Sequence, residues 1–276
     1  MAEPGWRPRL VALDIDGTLL RWVDGGGQSQ EQLTQRVHDA VHRAHQAGAH
    51  IVLASGRSPH GMTRIADLLK LPAAKEEPLW VVAANGAVVF RYPPLEVVRE
   101  ETFDPRAAVY AVLEHHPEAR VAVEERGVGY RISRPFPDGE LSGEMILTPL
   151  EELVAEPVNR VIIRDPEATA DDFVDLMDRL GLHGTDYVVG WTAWLDLAPI
   201  GVSKASGLQL VADALGVNRE DALAIGDGRN DLEMLEWAGR GVAMGQAIDL
   251  VKQTADAVTD SVDEDGAAVE IERWFG

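Results

Sequence analysis

The sequence predicts an α/β protein: a mostly parallel sheet built from both ends of the chain, interrupted by a smaller inserted α+β unit. Three observations carry this. Short apolar runs alternate with longer amphipathic ones up to about residue 84 and again from about residue 203. The runs Leu10-Val11-Ala12-Leu13, Ile51-Val52-Leu53-Ala54 and Trp80-Val81-Val82-Ala83 are near-continuous, as strands covered on both faces are. Between the two stretches the rhythm breaks at Asn85-Gly86, an apolar-flanked pair that signals a hairpin.

Taken in order, residues 9–14 read as a buried strand. Residues 29–47 read as a helix, with Ser29 and Gln32 forming a capping box and Gly48 as its stop. Residues 50–55 are a second strand, 59–70 a second helix and 79–84 a third strand. In the middle, residues 105–115 and 168–180 are helical, residues 120–125 and 129–133 are hairpin strands, and 158–164 and 186–190 are two more. Residues 135–157, rich in Pro, Gly and Glu, read as loop with one short helix at most. The first rhythm then resumes: helix 203–215, strand 222–226, helix 230–237, strand 241–244, helix 247–251, strand 255–258 and helix 264–274. The expected division is a core of residues 1–86 and 191–276 with residues 87–190 inserted, hinged at 84–87 and 190–191.

Composition narrows the functional classes. The 276 residues carry 25 Lys+Arg against 46 Asp+Glu, a net charge of −21. Such a chain repels phosphate backbones and anionic lipid, so neither nucleic acid nor a membrane is an expected partner. The absence of cysteine excludes thiol nucleophiles, disulfides and Cys-based metal sites, and fits a reducing compartment. With no signal-like h-region and no long apolar run, the expected location is the cytoplasm. Oligomeric state is not encoded in any pattern here.

Chemistry concentrates where strands end, the place where open α/β sheets bind ligands. Asp14-Ile15-Asp16-Gly17-Thr18 follows the first strand. In extended chain Asp14 and Asp16 point the same way. Close carboxylates repel unless a cation separates them, so the segment is either a hard-cation site or a turn with solvated acids. Gly226-Asp227-Gly228-Arg229-Asn230-Asp231 follows another apolar strand and adds two acids at the same sheet edge, or else caps the following helix. Ser55-Gly56-Arg57 ends the second strand and offers a hydroxyl and backbone N–H groups to a phosphate oxygen, or a plain helix cap. Lys204 stands at a helix start, against the dipole, in a chain with four lysines and 21 arginines. It is either aimed at an anion or a solvated surface lysine.

In this order these four pieces resemble the motifs of the haloacid dehalogenase (HAD) superfamily, and the insert resembles the large cap of its class IIB, or Cof-type, branch. The resemblance implies a Rossmann-like core and a phosphatase acting on small phosphorylated metabolites, sugar phosphates among them. It implies Asp14 as nucleophile and Asp16 as general acid and base. Mg²⁺ would be held by Asp14, the Asp16 carbonyl and Asp227, with Asn230 and Asp231 orienting its shell. Ser55, Gly56, Lys204 and Arg57 would hold substrate phosphate, and Thr18 would hydrogen-bond Asp16. The same residues would serve a phosphomutase. A non-catalytic phosphate- or metal-binding protein is the reading from another class. The helical row His38, His42 and His45 falls on the water side and is not expected to bind metal. Trp191 and Trp194 are expected packing anchors at the return to the core.

Overall fold

In the computed structural model, residues 5–25, 28–71, 77–125, 128–141, 143–180, 186–189 and 194–276 are described. The chain opens with β1 (Leu10–Leu13) and an antiparallel pair, β2 (Arg21–Gly25) and β3 (Gln28–Gln32). Next come α1 (Gln35–Gln46), β4 (His50–Ala54), α2 (Pro59–Leu69), β5 (Leu79–Ala83), β6 (Val88–Tyr92) and β7 (Glu96–Glu100). The middle contributes α3 (Arg106–Leu113), β8 (Arg120–Glu125), β9 (Gly129–Ile132), β10 (Glu144–Leu147), α4 (Leu150–Leu153), β11 (Val161–Arg164), α5 (Ala170–Leu180), β12 (Asp186–Val189) and β13 (Trp194–Ala198). The remainder is α6 (Lys204–Leu215), β14 (Ala222–Gly226), α7 (Leu232–Trp237), β15 (Arg240–Ala243), α8 (Asp249–Thr254), β16 (Ala257–Val258) and α9 (Gly266–Phe275).

The larger sheet has the order β16-β15-β14-β1-β4-β5-β6-β7. It is parallel from β16 to β5 and antiparallel from β5 to β7. Its near-continuous apolar strands are explained by burial on both faces. Val11 and Leu13 of β1, with Leu223 and Ile225 of β14, pack under α1 and α9 residues such as Val41 and Ile271. Leu10 and Ala12, with Ala222 and Ala224, pack against Leu208 and Val211 of α6 on the other side. In the smaller sheet, β10-β9-β8-β11-β13-β12, helices cover one face. Val121, Val161, Ile163 and Leu195 meet Val109 of α3 and Phe173 of α5. Its opposite face, with Tyr130, Ile162 and Asp196, turns toward the larger sheet: Asp196 there meets Asn85. No helix of the described residues is long and apolar enough to cross a membrane.

The structure departs from the sequence reading in particular places. The first helix begins at Gln35, not near Ser29, because Thr34 accepts from the Val37 N–H as the cap. Residues 28–32 instead pair with β2. The Ser29–Gln32 pattern is local, whereas the burial that decides the helix begins at Val37. Asn85-Gly86 does turn a hairpin, but β6 and β7 continue the larger sheet, since Phe90 and Val89 are buried on its two faces. Trp194 lies on a strand of the smaller sheet, where Leu195 and Leu197 fill that sheet's core. Sheet membership thus changes after Glu100 and after Ala198, whereas the sequence division follows the turn signal at residue 86. Residues 144–147, read as loop, form β10 beside β9. Trp191 and the expected second hinge at 190–191 lie outside the described residues.

Candidate active site

Adjacent parallel strands deliver their following residues to one edge. Asp14 and Asp16 follow β1, Asp227 and Asp231 follow β14, and Ser55 and Arg57 follow β4. The Asp14 N–H continues the ladder to the Ile225 carbonyl at 3.0 Å, so its carboxylate stands directly beside the β14 loop. Gly17 then turns the chain at φ +80°, and a Cβ there would lie 2.1 Å from Asp227 Oδ2. Only glycine permits both the turn and the approach of the two acidic loops.

Lys204 ties the acids together. Its Nζ donates to Asp14 Oδ1 at 2.6 Å and to Asp231 Oδ1 at 2.7 Å, and its side chain is 0% exposed. It occupies the first position of α6, within the Ser203–Ser206 capping box. Burial alone would favour a neutral amine, but the two carboxylates more than offset this and hold the lysine above its ordinary pKa. Asp231 Oδ2 accepts from the N–H groups of Asp227 and Gly228 at 2.9 and 2.8 Å, so both of its oxygens are engaged. Asp14 is pushed well above the ordinary carboxylate range, by burial first and by Asp231 second, against the pull of Lys204. Asp227 is raised to about 7, by burial and then by Asp231.

Asp14, Asp227 and Asp231 offer oxygens that all lie within 4.8 Å of one another, the one such cluster among the described residues. Ionised together, three buried carboxylates around a single ammonium would leave excess negative charge, and the donors are all hard oxygen. Such a set suits a hard divalent cation. On α1, His38 and His42 stack at 4.1 Å, and His42 is half-buried rather than on the water side, with its Nε2 2.7 Å from the Leu69 carbonyl.

The other expected residues are distributed as follows. Asp16 is not in the acidic cluster; its carboxylate pairs with Arg57 through two hydrogen bonds, Nε to Oδ2 at 2.8 Å and Nη2 to Oδ1. The expected Thr18–Asp16 hydrogen bond does not form. Thr18 is 0% exposed, and its hydroxyl has no partner among the described residues, because the turn back to Leu20 buries it. The Ser55 hydroxyl accepts from the Arg57 N–H at 3.2 Å, and Ser58 rather than Ser55 caps α2. Gly56 lies against Asn85, 3.0 Å from its Oδ1 to a built Cβ. Asn230 Nδ2 donates to Asn85 Oδ1 at 3.0 Å.

Two contributors escaped the motif reading. Asn85, buried at φ +52°, links Asn230 to Asp196 of the smaller sheet, which in turn accepts from Arg160 Nε and from Trp194 Nε1. Gln246 donates to the Gly17 carbonyl at 2.6 Å and to Asp227 Oδ2 at 3.1 Å. Both residues come just after parallel strands, β5 and β15. The strand-end rule that selected the acids would have flagged them, had it been applied to polar as well as charged residues.

Comparison with known proteins places the chain. The sequence profile of the haloacid dehalogenase-like hydrolases matches residues 11–271. The phosphoglycolate phosphatase of Natronomonas pharaonis is 33% identical, over 95% of this chain and 96% of that protein. The 5-amino-6-(5-phospho-D-ribitylamino)uracil phosphatase YitU of Bacillus subtilis is 27% identical, over 98% of each. The structure of BT1666, a HAD phosphatase from Bacteroides thetaiotaomicron, superposes with a TM-score of 0.75 at 27% identity, covering 99% of this chain and 97% of that one.

Proposed function

Because this chain belongs to the haloacid dehalogenase-like hydrolase family, and is a phosphoric monoester hydrolase, we propose that it dephosphorylates small metabolites, sugar phosphates among them, with Mg²⁺ and through an aspartyl-phosphate. The observation that carries the reading is Lys204, buried between Asp14 and Asp231 and with Asp16 on the same loop as Asp14. A lysine so placed orients the Asp14 carboxylate and puts a fixed positive charge where a phosphoryl group would enter. In the first half-reaction an Asp14 oxygen bonds phosphorus while the ester P–O bond breaks, and Asp16 gives its proton to the departing oxygen. In the second, Asp16 takes a proton from water, whose oxygen bonds phosphorus and releases Asp14. Lys204, the Ser55 hydroxyl and the Gly56 N–H are the proposed donors to the non-bridging oxygens. Mg²⁺ would be held by Asp14, the Asp16 carbonyl and Asp227, with Asn230 and Asp231 orienting them; when bound it offsets carboxylate–phosphate repulsion and stabilises charge on the transferring group.

The smaller sheet is the proposed cap. Its helix-free face reaches the core through the 3.4 Å contact of Asp196 with Asn85. Closure of such a cap would exclude water from the transfer step. The reading is tested by phosphate release from a panel of monoesters, sugar phosphates included, with and without Mg²⁺. Metal-dependent release is expected; no release from any of them rejects it.

Asp227 supplies an independent test of the metal. Its ordinary carboxyl value is 3.8 and its folded value about 7. Between those limits the folded chain keeps a proton that the unfolded chain has released, so metal-free stability falls as pH rises through that window. Cation binding needs the carboxylate and expels the proton, so affinity falls up to about tenfold per pH unit below 7. Mg²⁺ is therefore expected to raise the melting temperature more at pH 8 than at pH 6. An equal or smaller rise at pH 8 would contradict Asp227 as a ligand.

A further inference from the structure

Asp16 is held by a residue that phosphate would also recruit. Arg57 engages both oxygens of its carboxylate, and the pair is accessible, with side chains 20% and 39% exposed. The Arg57 backbone is fixed, its N–H on Ser55 Oγ and its carbonyl accepting from the Ala84 N–H at 2.8 Å, so the side chain can turn about an anchored point. A guanidinium matches carboxylate and phosphate with the same paired N–H geometry. It has donors only. Both Asp16 oxygens accept from the Arg57 guanidinium, which therefore fixes the orientation of the carboxylate until Arg57 moves. Asp14 and Asp231 are tied instead to Lys204.

We propose that Arg57 is a two-position latch. It rests on Asp16 when the site is empty and moves to the phosphoryl oxygens when the site is filled, releasing Asp16 for proton transfer only on a loaded enzyme. This inference rests on the phosphatase reading above. It makes Arg57 a positioning residue for Asp16 as well as an anion contact. Phosphate binding must then break the pair, which lowers apparent affinity in the way that any unfavourable pre-equilibrium does.

A double-mutant cycle tests it, with inorganic phosphate as the probe, calorimetry as the readout and Mg²⁺ present. Asp16→Asn removes the charge that retains Arg57, so phosphate is expected to bind about fivefold to tenfold tighter than to wild type. Arg57→Ala is expected to weaken binding about tenfold, the value of one charge-assisted contact. In the Arg57→Ala background, Asp16→Asn is expected to change affinity less than about twofold, because no latch remains to open. Arg57→Lys keeps the charge without the paired geometry and should show a reduced gain on adding Asp16→Asn; it replaces Arg57→Ala if that variant does not fold. With 4-nitrophenyl phosphate, whose leaving group needs little protonation, Arg57→Ala should raise KM far more than it lowers kcat. A gain from Asp16→Asn that is equal with and without Arg57 would mean that Asp16 merely repels phosphate, and would overturn the latch. So would no gain at all. Wild-type protein that binds no phosphate and releases none from esters defeats the phosphatase reading together with the latch, whereas normal turnover with an additive cycle defeats the latch alone.

Discussion

Replacing Lys204 by methionine is expected to destabilise the metal-free protein by about 3–5 kcal/mol, the cost of leaving a buried charge without its partner. Phosphate release should fall at least about a hundredfold, as for removal of one preorganised donor. Methionine nearly preserves the volume, so the loss reports charge and not a cavity. Lys204 is wholly buried and makes two short polar contacts, to Asp14 at 2.6 Å and to Asp231 at 2.7 Å. Without it, Asp14, Asp227 and Asp231 would face one another at close range in a buried position. Asp231 would keep the Asp227 and Gly228 N–H groups, so the β14 loop should retain its shape while Asp14 loses its hold. The remaining acids can relieve their repulsion by taking up protons, so the stability difference from wild type should shrink as pH is lowered toward 5. Denaturant unfolding at pH 8 and pH 5, each in chelator, measures it. A difference below about 1 kcal/mol at pH 8, the size of an exposed ion pair, would show that the lysine does not hold these acids together.

The strand-end acids and Lys204 were legible in the sequence because each departs from what its local position favours. Carboxylates two residues apart at the end of an apolar strand repel, and a lysine at a helix start opposes the dipole. Either oddity implies a partner, and the fold supplies it. Partners themselves were less legible. Arg57 read as a phosphate ligand because its place after β4 is right for one, yet the structure sets it on Asp16, across from the neighbouring strand β1. Residue type and position along the chain do not say which of two anions an arginine meets. Thr18 shows the same limit: its place beside Asp16 in sequence suggested a hydrogen bond that the tight turn at Gly17 prevents. In the fold, the reading failed where a local signal competed with burial, as at Ser29 against Thr34, or where a turn was taken for a sheet boundary, as at Asn85-Gly86. The net charge of −21 also changes meaning beside the site. The global field opposes an anion, so under the proposed function capture would depend on short-range donors and on the proposed cation at the acidic cluster.

Asp14→Asn separates catalysis from stability in the direction opposite to ordinary core damage. Phosphate release is expected to fall at least about a thousandfold, since an amide oxygen is a poor nucleophile and no neighbouring carboxylate sits in its place. Stability should not fall with it. Burial and Asp231 push the Asp14 carboxyl well above its ordinary value, so at neutral pH its ionised form is disfavoured in the folded chain relative to the unfolded one. Asparagine has nearly the same shape and no charge to bury, and its Oδ1 can still accept from Lys204 Nζ, which also keeps Asp231. In chelator at pH 8 the variant should therefore melt at or above the wild-type temperature. Adding Mg²⁺ should then raise wild type more than the variant, because one of the proposed ligands has lost its charge. Substantial residual turnover, within about tenfold of wild type, would remove Asp14 from the nucleophile's role. A fall of several degrees in melting temperature in chelator would mean that the charged Lys204–Asp14 pair is itself a net stabiliser, and that the acids of this site are held together by more than they are driven apart.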